Sequence, residues 1–374
     1  MPSNNLFNMK QLHIFSFFSG SGFLDLGFEK AGCVVDYVNE YSESFQDAYK
    51  YARKLIGIPE PRFGYSKDIK DLLKEENIHE IQNNIIQVRK EGHFVGFVGG
   101  PPCPDFSVAG KQRGRFGENG QLSQSYIDMI QIHQPDFFLF ENVKGLWRTA
   151  KHRAYFEELK NQLAKDYYLS NRLCNALEYG VPQDRDRIFL FGVRRDMADQ
   201  VGLDIQNFDW TSRHEFNLDE LKLKEWPLAE TFINESEKEC PNGIPVRLTA
   251  EYWFRSNDVY NHPNSKDYFV PRAGLVRMKT IMEGDDSRKS YKRIHRWRYS
   301  PTVCYGNNEV HLHPYKERRL SAAEALALQS LPAEFCLPQK MSLSDKFKTI
   351  GNGVPYLMAY GVAMTIKDFF KSLS

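Results

Sequence analysis

Cys103, in Gly100-Pro101-Pro102-Cys103-Pro104-Asp105-Phe106-Ser107, is the residue of this chain best placed for covalent chemistry. It follows the apolar run Phe94-Val95-Gly96-Phe97-Val98, whose length and flanking glycines predict a buried strand. The prolines stiffen the turn behind that strand, because each fixes its own φ and restricts the residue before it. A thiol held in this way can attack an electrophilic carbon once it is a thiolate. A second constellation is Gln183-Asp184-Arg185-Asp186-Arg187. Arg185 and Arg187 alternate at the start of a strand-like run, so both face one side, and a guanidinium offers permanent charge on a planar fork. A third lies near the amino end, where a predicted strand at 13–18 enters Ser19-Gly20-Ser21-Gly22 and a helical pattern follows over 23–31. Glycines between strand and helix let a ligand approach the backbone, at a helix end that favours polar or anionic groups. Glu40, twenty residues after Gly20, ends the next strand, where a carboxylate can bind ribose hydroxyls. The turn lacks the full GxGxxG of nicotinamide sites, and its spacing suits a nicotinamide dinucleotide or S-adenosylmethionine equally.

These groups need a scaffold. Strand-like runs at 13–18, 34–39, 94–98, 137–141 and 188–193 alternate with helical stretches such as 42–56 and 126–133. That order predicts an α/β fold, a doubly wound, mostly parallel sheet covered on both faces. After Arg195 the alternation stops, and 196–300 is irregular and rich in Asn, Trp, Pro and charge. A helical pattern returns at 321–329, with Ser321 as N-cap and Glu324 closing a capping box, and a last helix is predicted over 355–370. The division expected is 1–195 plus 338–374 as one domain and 196–337 as a second, smaller one.

At 374 residues, with 41% apolar and 26% charged side chains, the chain is long enough for both domains and argues against extended disorder. No stretch approaches 18 uncharged apolar residues, so no transmembrane helix is expected, and Met1 to Lys10 lacks a signal-peptide core. Six scattered cysteines form no CxxC pair, which predicts no metal site and fits a reducing cytoplasm. Net charge is +1, but it is unevenly spread: 196–240 holds 12 acidic and 4 basic residues, 271–300 holds 9 basic and 3 acidic. The segment from Arg288 to Arg298 interleaves cations with Tyr291 and Trp297, a pattern that can grip phosphates and stack on bases, or serve as a solvated basic face. Four glycines and three cations between Gly110 and Gly120 predict a loop that closes on phosphates, or a passive surface loop.

Taken together, Phe18-Ser19-Gly20-Ser21-Gly22, Gly100 to Ser107, Glu141-Asn142-Val143, Gln183 to Arg187, Arg319-Leu320-Ser321 with Glu324-Ala325 and Leu328-Gln329, and Gly351-Asn352-Gly353-Val354 resemble the DNA cytosine-5 methyltransferases of bacterial restriction-modification systems. The six motifs stand in family order, and only 196–300, where the family carries its target-recognition region, falls outside them. The resemblance implies a Rossmann-like methyltransferase sheet, S-adenosylmethionine as cofactor and double-stranded DNA as partner. It implies a cytoplasmic bacterial enzyme, monomeric, with a cognate restriction endonuclease in the same system that need not be bound to it. There are departures: Phe23 stands where the family usually has a third glycine, Ser16 where it has aspartate, and Gly353 where it has serine or alanine.

Residue by residue, the resemblance implies that Cys103 adds to cytosine carbon 6 and Glu141 meets the charge on ring nitrogen 3. Arg187 would contact the 2-oxo group, with Arg185 in support. Phe18, Gly20, Ser21 and Gly22 would line the cofactor, Glu40 hold its ribose, Tyr41 lie against the adenine, Asp68 with Ile69 take the adenine edge, and Asn352 and Val354 close the pocket. Pro102, Ser107, Lys111, Gln112, Arg113, Asn142 and Gln183 would surround the flipped-out base, since a paired cytosine cannot reach a thiol. Two rivals remain. A tRNA cytosine-5 methyltransferase shares most motifs but usually carries threonine where Phe106-Ser107 follow the catalytic turn. A non-catalytic DNA-binding member would lack Cys103, Glu141 or Arg187, and all three are present.

Overall fold

The structure, a computed structural model, describes residues 10–102, 118–270, 275–288, 290–303 and 309–371. Cys103, Ser107, Lys111, Gln112 and Arg113 therefore lie outside the described residues, as does most of the glycine-rich stretch after them. The amino-terminal part runs β1 (Leu12–Phe17), α1 (Phe23–Lys30), β2 (Val34–Asn39), α2 (Glu43–Ile56), β3 (Tyr65–Ser66), α3 (Glu75–Lys90), β4 (Phe94–Gly99), α4 (Glu118–His133), β5 (Phe137–Val143), α5 (Gly145–Arg148), α6 (Ala150–Leu163), β6 (Tyr167–Asn175), β7 (Gln183–Asp184) and β8 (Asp186–Arg194). Then follow α7 (Arg195–Val201), α8 (Leu218–Leu223), α9 (Ala250–Ser256), α10 (Leu275–Lys279), β9 (Ser300–Pro301), α11 (Ala322–Leu328), α12 (Leu343–Asn352) and α13 (Tyr356–Lys371).

Seven strands form one sheet in the order β3-β2-β1-β4-β5-β8-β6. The pairs from β3 to β5 are parallel, while β8 runs antiparallel to both β5 and β6. Strand alternation divides the core into two layers. Ile14, Phe137, Leu139, Phe189 and Phe191 face α1 and α13. Phe15, Phe17, Phe97, Phe138 and Phe140 face α3, α4 and α6. Each such aromatic contributes about 1.5–3 kcal/mol by leaving water. Helix caps follow the sequence signals. Ser42 accepts from the Phe45 amide at the start of α2, and Ser321 and Glu324 form the expected capping box of α11.

Packing does not follow the boundary at 196. Phe208 stacks on Phe191 with ring centres 4.3 Å apart, and Trp210 lies over Phe189, so this segment closes the sheet's α13 layer. A third apolar cluster joins Phe23, Phe45 and Ala48 of the first helices to Phe254 and to α11 and α12. Among the described residues between Asn217 and Leu320 regular structure is sparse, in keeping with the irregular texture of 196–300. Buried arginines organise it. The Arg293 guanidinium donates to the carbonyls of Ile281 (2.9 Å), Met278 (2.7 Å), Lys316 (3.2 Å) and His313. Arg296 pairs with Glu283 at 2.8 Å and also binds Ser236. The basic segment 288–298 is thus largely interior. Arg293, His295, Arg296 and Trp297 are buried and Arg288 is exposed, so neither phosphate gripping nor a solvated face describes the whole of it.

Candidate active site

The carboxyl ends of β1, β2, β4 and β5 meet at one edge of the sheet. Glu141, near the end of β5, sits diagonal to Arg187 of β8, which pairs in register with Val143. The two side chains form an ion pair at 2.8 Å with each only 9% exposed. Burial pushes the Glu141 carboxyl above its usual range, against the pull of Arg187 and, secondly, Arg185. Such a group is poised between holding and releasing a proton. Its other oxygen abuts Gly100, where an added Cβ would lie 2.5 Å from Oε2. Only glycine at 100 therefore lets the carboxylate sit beneath the turn that leads to Cys103. Asn142 ties the same turn down, donating to the Pro101 carbonyl at 3.4 Å, and Pro102 is half-buried beside it.

Arg185 and Gln183 do different work from Arg187. Arg185, 1% exposed, donates to the carbonyls of Gly351 (2.5 Å) and Gly353 (3.0 Å). Gln183 is fully buried and binds the Leu328 carbonyl, the Gln329 side chain and the Val303 amide. Gln329 continues to the Ile350 carbonyl at 2.5 Å. Both sequence-predicted residues thus join the 183–187 segment to α11 and α12 from inside the protein.

The glycine turn is the second pocket. Gly20 has φ +58, and among the described residues only Thr349 Oγ1, at 3.9 Å, would come near a Cβ there. Its amide donates to Glu40 Oε2 at 2.8 Å, and the Ser42 amide to Oε1 at 2.7 Å. Burial pushes the Glu40 carboxyl up, opposed first by the Ser42 and Gly20 amides. Each carboxylate oxygen keeps a second lone pair for a hydroxyl. Tyr41, 74% exposed, offers a free ring face beside it, and Phe18 is half-buried at φ +55. Asp68 accepts from the Lys70 amide at 2.9 Å, and Asn352 is exposed at the end of α12.

At four other predicted cofactor residues the side-chain positions are taken up by the protein's own packing. A Cβ at Gly22 would meet Arg53 Nη1 at 2.4 Å and the Tyr49 ring at 2.5 Å, so this glycine serves packing. Ser21 is buried on Thr349 at 2.7 Å, and the side chains of Ile69 and Val354 lie in the core. Sequence reasoning missed Thr349 and Arg53. Arg53 holds the Ser21 carbonyl (3.1 Å) and the Gly22 carbonyl (2.6 Å), stacks on Tyr49 and pairs with Glu29. No motif marks either residue, because the glycine-turn residues they bind lie at least 31 positions away.

The arrangement joins a buried acid and its cation, beside Gly100, to an open glycine turn whose carboxylate suits a ribose. That donor set fits an adenosyl cofactor. Comparison with known proteins agrees in kind. Residues 12–368 match the description of C-5 cytosine-specific DNA methylases. The chain is 54% identical to the type II methyltransferase M.NmeDI of Neisseria meningitidis serogroup C, over 97% of this chain and 85% of that one. It is 30% identical to M.FnuDI of Fusobacterium nucleatum, over 96% and 94%. Among solved structures it superposes, with TM-score 0.65 and 21% identity, on one described as a prophage-encoded DNA modification methyltransferase of E. coli, covering 96% of this chain and all of that one. A Schizosaccharomyces pombe methyltransferase shares the fold at TM-score 0.58 and 12% identity, over 98% of this chain and all of that one.

Proposed function

Because the chain belongs to the C-5 cytosine-specific DNA methylases, we propose that it methylates carbon 5 of a flipped-out cytosine within a specific duplex DNA sequence, as the modification enzyme of a type II restriction-modification system. S-adenosylmethionine, when bound, supplies the electrophilic methyl group that carbon 5 takes up. Gly20, Glu40, Tyr41, Asp68 and Asn352 would hold that cofactor. The thiolate of Cys103 adds to carbon 6 and gives carbon 5 the character of an enamine. Glu141, retaining a proton through burial, donates to ring nitrogen 3 as charge builds there, and Arg187 holds the 2-oxo group. Once carbon 5 is methylated, its proton leaves to a base, ring nitrogen 3 gives its proton back to Glu141 and the carbon–sulfur bond breaks, returning the ring, the acid and the thiolate.

The buried Glu141–Arg187 pair, with Gly100 against the carboxylate, supports this reading. DNA would lie between the sheet edge and a recognition region that begins after the aromatic stack of Phe208 and Trp210. The test is transfer of labelled methyl from S-adenosylmethionine to unmethylated genomic DNA, beside tRNA and a Cys103→Ser variant. Label in DNA cytosine, lost in the variant, is expected. Label confined to tRNA, or none, would overturn the substrate or the activity.

A further inference from the structure

Two departures from the family pattern meet in space. Phe23, directly after the glycine turn, is 2% exposed and lies edge-on to Phe335 at 5.2 Å between ring centres. Its ring covers the Cα of Gly353, where an added Cβ would lie 2.2 Å from Phe23 Cδ2 and 2.9 Å from two further ring carbons. A side chain at 353 is therefore incompatible with the ring at 23. The contact sits between the two halves of the pocket. On one side is the turn with Gly20 and Ser21, the latter bonded to Thr349 of α12 at 2.7 Å. On the other is the 351–354 segment, whose carbonyls hold Arg185 at 2.5 and 3.0 Å and receive Gln329. Asn352 stands exposed between those two carbonyl residues.

We infer that Phe23 and Gly353 act as one positioning unit, the ring fixing the 351–354 segment against the glycine turn so that the cofactor pocket has its far wall. The proposal rests on the S-adenosylmethionine reading above. Neither residue touches the reaction. Both set the distance across which the cofactor is held, and the glycine at 353 is the complement of the phenylalanine at 23.

The experiment titrates S-adenosylmethionine calorimetrically into the full chain, with steady-state methylation and thermal melting in parallel. Gly353→Ala is expected to raise both the dissociation constant and the KM for S-adenosylmethionine by about tenfold or more, because the segment must shift. Adding Phe23→Ala removes the ring and should return affinity to within about twofold of Phe23→Ala alone. A contact that merely supports stability would lower melting temperatures without moving the affinity of the folded protein. A folded Gly353→Ala protein with wild-type affinity overturns the proposal, as does a double variant that falls as far below Phe23→Ala as Gly353→Ala falls below wild type. If Gly353→Ala does not fold, the double variant decides: folding with binding supports the unit, failure to fold overturns it. A wild-type chain that binds no S-adenosylmethionine overturns the cofactor reading and the proposal with it, whereas wild-type binding that is unchanged in every variant overturns the coupling alone.

Discussion

At the scale of single residues, Glu141 is where burial and charge oppose each other most directly. Desolvation favours its protonated form, and Arg187 favours the ionised one. Glu141→Gln keeps the volume but removes an acid that can give up its proton, so kcat should fall by about 100-fold or more. DNA affinity, read by gel shift on the same preparation, should stay within a few-fold of wild type. Gly100→Ala should also lower kcat, because its methyl would take the space of Glu141 Oε2; methyl transfer close to wild type would show that the carboxylate can move without loss. Asp25 offers a pH test. It is 1% exposed, bonded to Ser16 Oγ at 2.7 Å, and burial, opposed chiefly by Arg53, pushes its carboxyl up to about 6 from 3.8. Between those values the folded protein binds more protons than the unfolded chain, so stability declines as pH rises through the window. The loss from this group is about 2–3 kcal/mol by pH 7. Urea unfolding of wild type and Asp25→Asn should therefore converge at pH 4 and diverge at pH 7; parallel pH profiles would remove the assignment.

At the scale of elements, the strands that run straight into chemistry were legible, and the rest were less so. β1, β2, β4, β5 and β8 read from sequence because their apolar runs are buried on both sides, which leaves no polar alternation to confuse the pattern. β6 was not read. It is an edge strand, half-buried along most of its length, and its mixed sequence Tyr-Tyr-Leu-Ser-Asn-Arg-Leu-Cys-Asn carries little period-two signal. Helices α3, α6 and α12 were also passed over. The signal for α11 was sharp because its cap is local: Ser321 and Glu324 bond reciprocally at 3.3 and 2.8 Å. Ser321→Ala should cost about 1 kcal/mol in chemical denaturation, and more if Glu324, also bonded to Arg318, loses its place. The site's roles were harder to read for a related reason. A motif names residue types but not their partners, so Gln183 and Gly22 matched while serving the interior.

At the scale of the whole molecule, the irregular segment after Asn217 buries some of its arginines and leaves others exposed. Arg293 satisfies four backbone carbonyls in a segment with few hydrogen-bonded elements of its own. Removing it as Arg293→Leu strands those carbonyls, and a loss of about 3 kcal/mol or more is expected in thermal or urea melts. Arg288, exposed, should leave the melt unchanged when replaced by alanine. If it meets a phosphate, the slope of log affinity against log salt should fall by about one. Composition could not make this division, since burial, not charge, sorts one arginine from another.

The bonds from Arg185 to Gly351 and Gly353, and from Gln329 to Ile350, also have a consequence in time. The 183–187 strand leaves the ribosome some 166 residues before its acceptors do, and α13, which lies against α1 at Gly27 and Ala359, follows later still. Closing so long a loop is slow and comes late in folding. A nascent chain can assemble the sheet and still lack the anchored arginine beside its acid. Methylation competence should therefore appear as a step once α12 has emerged, and chains stalled before it should be compact but inert.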